Sequence, residues 1–78
     1  MATEVTEILR KLGLKIKLER MKRGLTQEKL GELAGFSNTA IGAIENAKTS
    51  PELVTIIGIA NALDITLPEL LDVDKIEL

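Results

Sequence analysis

Cysteine, histidine, tryptophan and tyrosine are all missing from this 78-residue sequence, and a single aromatic side chain, Phe36, remains. Without a thiol or an imidazole the chain can form no disulfide, offers no thiolate nucleophile or imidazole base, and cannot assemble a zinc site of the usual ligand types. The carboxylates, lysines and hydroxyls that are left fall mostly at amphipathic spacings suited to a solvated face, so no catalytic, metal or cofactor site is expected. With so few aromatics, burial must come from Leu, Ile, Val and Ala, which favours packed helices over a β-sandwich. Also missing is any run of about 18 apolar residues of the kind that crosses a bilayer, and MATEVTEILRK lacks the apolar stretch of a secretory signal. The expectation is a soluble, cytoplasmic protein with no membrane partner. Residues 1–78 should form one domain, because a chain this short buries too little surface for two cores.

An excess of positive charge is lacking too, since 10 Lys and Arg against 12 Asp and Glu give a formal net charge of −2. On that total a polyanion is a poor partner, because neutralising phosphates takes Lys and Arg. The distribution reverses this. Arg10, Lys11, Lys15, Lys17, Arg20, Lys22, Arg23 and Lys29 crowd one segment against Glu19 and Glu28 alone, whereas beyond residue 48 Lys75 stands alone against Glu52, Asp64, Glu69, Asp72, Asp74 and Glu77. A chain basic at one end and acidic at the other orients itself toward a polyanion even when its total is slightly negative.

Helical periodicity is what the sequence does have. Apolar residues at Val5, Ile8, Leu9, Leu12, Ile16 and Met21 follow the spacing of one helix face from Thr3 to about Arg23, with Gly13 marking a bend and Gly24 the end. Thr26 caps a second helix, Gln27 to Ala34, with Leu30, Leu33 and Ala34 inward; Gly35 closes it. Ser37 caps a third, Asn38 to Asn46, with Ile41 and Ile44 inward. Ser50-Pro51-Glu52 combines a capping serine, a proline for the first helical position and an acid for the first turn, and so starts a fourth helix that runs to about Leu63. Thr66-Leu67-Pro68-Glu69 has the spacing of a capping box and opens a fifth through Leu70 and Leu71. The tail Val73 to Leu78 stays ambiguous. The fold class is all-α, a compact bundle of five helices.

Residues 27–46 meet the demands of a helix-turn-helix, two short helices crossing steeply through a turn of three or four residues. Gly31 lets the helices approach, and Gly35 supplies a turn with positive φ. Leu30, Ala34, Phe36, Ile41 and Ile44 are apolar where the helices meet each other and the rest of the domain. GLTQEKLGELAGFSNTAIGAIENAKTSPELVTIIGIANALDITLPELL, with the basic helix before it, resembles the Cro/CI-type (XRE, lambda-repressor-like) helix-turn-helix family over about residues 12–73. The resemblance implies a DNA-binding domain whose third helix reads the major groove of double-stranded operator DNA, and a homodimer that binds near-palindromes.

Carried over on that resemblance, Thr26 and Gln27 at the start of the second helix meet a phosphate, the glutamine with its amide and with free backbone N–H groups. Ser37, Asn38, Thr39 and Ala40 form the exposed start of the recognition helix. Asn38 suits an adenine edge, and the methyl of Thr39 or Ala40 suits a thymine methyl. Ala43 faces the groove floor one turn on, and Asn46 and Lys48 add phosphate contacts. Arg20 and Glu45 match a family ion pair joining the first and third helices. Breaking such a pair costs about 3–5 kcal/mol if it is well buried and less than about 1 kcal/mol if it is exposed. Two departures stand out. Ala47 occupies a position where the family commonly has glycine, and Gly42 leaves the exposed face of the recognition helix flat. With no Arg or Lys in that helix, the bidentate contact to guanine is absent, which implies modest, A·T-leaning readout and reliance on phosphates and DNA shape.

The fourth helix, LVTIIGIANAL, is more apolar than one face can hide. A dimer contact is expected along Val54, Gly58 and Asn61, or along Leu67, Leu70, Leu71, Val73, Ile76 and Leu78. The function read from all this is a small transcriptional regulator of repressor type, acting on the nucleoid of a bacterial or phage-infected cell and controlled by its own concentration, a partner chain or dimerisation. The alternative is a protein-binding module, such as an antitoxin covering a toxin with its acidic C-terminal surface.

Overall fold

A computed structural model describes residues 4–78. The elements are α1 Val5–Lys22, α2 Gln27–Ala34, α3 Asn38–Glu45, α4 Leu53–Ala62 and α5 Leu67–Leu71, and no strand occurs among the described residues. The expected start at Thr3 lies outside them. No helix among them is long and apolar enough to cross a membrane.

The core is aliphatic throughout, as the shortage of aromatics requires. Leu12 and Ile16 of α1, Leu30 of α2, Ile41 and Ile44 of α3, Ile56, Ile59 and Ala60 of α4, Leu63, Leu70 and Val73 are all buried, and the lone Phe36 packs half-buried against them. Val73 thus anchors the ambiguous tail, which turns at Val73–Ile76 through an Ile76 N–H to Val73 carbonyl bond of 3.0 Å and forms no strand.

Helix α1 runs without a break through Gly13, so no short first segment is set apart from the main helix. The glycine serves packing instead. A Cβ there would lie 2.5 Å from the carbonyl oxygen of Glu45 and 2.7 Å from that of Ile44, so only a bare backbone lets α1 meet the end of α3. Leu33 is also corrected. It is 53% exposed, because α2 turns its Leu30–Gly31 side to the bundle and Leu33 falls outside that stripe.

Helix α4 starts later than its signals imply. Its N-cap is Glu52, with extended backbone and no side-chain cap, and Ser50 and Pro51 belong to the preceding loop. The extended cap conformation that a serine before proline would supply is adopted two residues later, at Glu52. Helix α5 follows its sequence signals: the Thr66 hydroxyl accepts from the Glu69 N–H at 3.2 Å, and the Glu69 carboxylate accepts in return. Leu70 and Val73 are core residues, and Gly58 is half-buried and faces the bundle, where a Cβ would lie 3.7 Å from the Ala34 carbonyl and the Phe36 ring, so all three turn away from the expected dimer contacts.

Candidate nucleic-acid interface

The α2–α3 unit is built from small local decisions. The Thr26 hydroxyl accepts from the Lys29 N–H at 3.0 Å and so starts α2, and the Ser37 hydroxyl accepts from the Ala40 N–H at 3.1 Å and so starts α3. Between them Gly35 adopts a φ of 85°, in the left-handed region that suits glycine, and the N–H groups of Gly35 and Phe36 both reach the Gly31 carbonyl at 2.8 Å. A side chain at Gly31 would run into the Phe36 carbonyl. The two short helices are therefore locked in contact by the glycines expected to do so.

At the far end of α3 the chain leaves through a Schellman turn. The Lys48 N–H reaches the Ala43 carbonyl at 2.8 Å and the Ala47 N–H the Ile44 carbonyl at 3.1 Å, with Ala47 left-handed at a φ of 57°. Asn46 and Lys48 are exposed on this turn.

Arg20 and Glu45 join as expected, and the pair is buried. Arg20 Nε donates to Glu45 Oε2 at 2.7 Å and Nη2 to Oε1 at 3.1 Å, while Nη1 donates to the Leu25 carbonyl at 2.7 Å. The Glu45 side chain is only 2% exposed. This bidentate clamp fixes where α3 ends relative to α1.

The Gln27 side chain is tied into the fold. Its Nε2 donates to Glu45 Oε1 at 3.1 Å, so one of its two N–H groups is already engaged. The backbone N–H groups of Gln27 and Glu28, first in the helix, have no intrahelical acceptor and mark an anion-binding end. Ser37, Asn38 and Thr39 are exposed. Ala40 is half-buried instead, and with Ala43 it lines an open cleft of about 250 Å³ against Phe36, Pro51 and Thr55. Gly42 is not on open surface either, since a Cβ there would lie 3.4–3.7 Å from the Gln27 side-chain amide.

Glu19 was missed by the sequence reading. It is buried in α1 and holds Arg23 at 2.8 Å, Lys22 at 3.1 Å and Lys15 at 3.3 Å. The Arg23 hydrogen bond, with help from Lys22 and Lys15, outweighs burial and brings its pKa down from 4.5 to about 2. Three of the basic residues expected to face a polyanion are thus partly occupied within the fold. The signal was present as cations at i−4, i+3 and i+4 of one carboxylate.

With this geometry in hand, the likeness to known proteins is specific. The profile of the helix-turn-helix family (HTH_3) matches residues 16–70. The control protein C.SmaI of Serratia marcescens is 35% identical over 60 residues, 77% of this chain and 71% of that protein. The crystal structure of the restriction-modification controller protein C.AhdI from Aeromonas hydrophila superposes with a TM-score of 0.78 and 37% identity, covering 80% of this chain and 94% of that one. That of the P22 c2 repressor, solved in complex with a synthetic operator, gives 0.73 and 32% identity over 81% and 96%.

Proposed function

The chain belongs to the helix-turn-helix family, and from that premise we propose that it is a transcriptional regulator that lays α3 in the major groove of operator DNA. The single observation that carries this reading is the α2–α3 unit itself. Two short helices locked through Gly31 and Gly35 leave Ser37, Asn38 and Thr39 exposed at the start of α3 and free N–H groups at the start of α2. Relatives named as controllers and repressors, one solved on an operator, support it over an enzyme.

In this reading the work is divided. Phosphates are met by Thr26 and Gln27 with the free N–H groups of α2, and by Asn46 and Lys48 on the turn after α3. Bases are met by Ser37, Asn38 and Thr39, with Ala43 at the edge of the groove face and Ala40 contributing from the cleft wall. The absence of a cation from α3 keeps direct readout modest and A·T-leaning, and leaves the rest to DNA shape. The protein acts on the nucleoid as a homodimer. The contact is the exposed side of α4, where Leu53, Val54 and Ile57 stand in solvent beside Asn61, with Val54 70% exposed. Paired this way, two copies of α3 read half-sites about one DNA turn apart.

The test is a salt titration of binding to a random duplex and to the DNA upstream of its own gene, with the native protein, Gln27→Ala and Asn38→Ala. The expected result is tight upstream binding that weakens steeply with salt, reduced on both duplexes in the first variant and on the upstream duplex alone in the second. No binding to either duplex at low salt would overturn the reading and turn the search to protein partners.

A further inference from the structure

Gln27 is the only glutamine in the chain, and its side chain reaches across to α3. Nε2 donates to Glu45 Oε1 at 3.1 Å, and the amide lies over Gly42, where a Cβ would sit 3.4 Å from Oε1, 3.6 Å from Nε2 and 3.7 Å from Cδ. The carboxylate that receives it is itself buried and gripped by Arg20 through two bonds of 2.7 and 3.1 Å. The Arg20 fork takes one acceptor site on each carboxylate oxygen, and Oε1 has a further lone pair with which it accepts from Gln27.

We propose that Glu45 is a positioning residue for phosphate binding: clamped by Arg20, it holds the Gln27 amide in one orientation, leaving the second Nε2–H to meet a DNA phosphate beside the free backbone N–H groups of Gln27 and Glu28. This rests on the reading above that the N-terminal end of α2 contacts DNA. A glutamine free to sample its rotamers loses that freedom when it binds, whereas one already held does not. Arg20 also neutralises the carboxylate, which would otherwise repel the phosphate. The network joins α1, the anchor on α2 and the end of α3, so the anchored phosphate and the reading helix keep a fixed offset.

The experiment is a double-mutant cycle on binding to a random-sequence duplex. Gln27→Ala is made in the native chain and in one carrying Arg20→Met with Glu45→Leu, a replacement that removes both charges together. In the native background the loss of Gln27 is expected to weaken binding about tenfold, as for a hydrogen bond to a charged group. In the apolar background it is expected to weaken binding by no more than about twofold, because the amide is no longer held. Equal losses in the two backgrounds would overturn the proposal.

Should the apolar pair fail to fold by circular dichroism, Glu45→Gln removes the charged acceptor while keeping its shape, and the readout is the Gln27 side-chain amide in a proton–nitrogen spectrum. Only three asparagines share that region. Two well-separated proton shifts in the native protein should move to those of a free amide in the variant, and unchanged shifts would sink the idea. A native chain that binds no duplex overturns the regulator reading and this one together. Binding that Gln27→Ala leaves unchanged overturns this one, together with the phosphate role of Gln27, and leaves the regulator reading standing.

Discussion

Ala47 holds a φ of 57° at the left-handed position of the turn that ends α3. Gly24 occupies the equivalent position after α1, with a φ of 66°, and the departure from glycine at 47 was visible in the sequence. The backbone keeps the turn regardless, because two hydrogen bonds close it, and the residue carries the strain, on the order of 1 kcal/mol. Ala47→Gly should relieve it and raise the melting temperature by about 4–8 °C for each kcal/mol in a domain of this size, provided the added freedom of glycine in the unfolded chain does not offset the gain. Calorimetry of the two proteins decides which effect is larger. A second residue-scale consequence concerns acid. Glu19 is held at about 2 against 4.5 when free, so its pH-dependent contribution is fully present above about pH 4.5 and is lost as the pH falls toward 2. The advantage of the native chain over Glu19→Gln, measured by urea unfolding, should be constant near neutrality, shrink across that window and vanish below it. The caps at Thr26, Ser37 and Thr66 were legible because each is announced by residue type at fixed spacing, and the Arg20–Glu45 pair only through the family resemblance. Glu19 was not, since its three cations read equally well as a face for DNA.

At the scale of elements, five helices could be placed from periodicity and caps, yet their facing could not. Leu33 fits the apolar spacing of α2 but stands in solvent, because spacing reports a stripe and not where the neighbouring helix lies. Pro51 after a serine reads as a helix start, yet the helix begins at Leu53, behind Glu52. Glycines show the same limit. Gly13 looks like a helix interruption, whereas it and Gly31 mark points where two backbones touch. Gly42 is the opposite case, with ordinary contact distances around the place a methyl would occupy. Gly31→Ala should therefore destabilise the domain strongly, and Gly42→Ala should stabilise it by up to about 1 kcal/mol, as expected for alanine over glycine in a helix. Leu30→Ala should cost about 2–5 kcal/mol and Leu33→Ala far less. Chemical denaturation of the four variants tests whether close approach or helix propensity governs each position.

For the whole molecule, charge and association decide how a slightly acidic protein reaches DNA. Lys15, Lys22 and Arg23 hold Glu19, so attraction rests more on exposed cations such as Lys17 and Lys48 and on helix ends. On the proposed reading a single copy meets few phosphates, and doubling the footprint through the proposed dimer would matter more than for a strongly basic domain. The proposed contact on α4 can be separated from folding, because Val54 and Ile57 are exposed and absent from the core. Val54→Glu with Ile57→Glu should leave the melting temperature nearly unchanged, since exposed substitutions move stability by about 0.5 kcal/mol or less. Sedimentation should then show one chain where the native protein shows two. Binding to a full near-palindrome should fall to the level of a half-site, with about half the native salt slope, because one copy neutralises half the phosphates. A native protein that sediments as a single chain at high concentration, or a charged variant that still binds the full site at native strength, would move the dimer contact elsewhere or remove it.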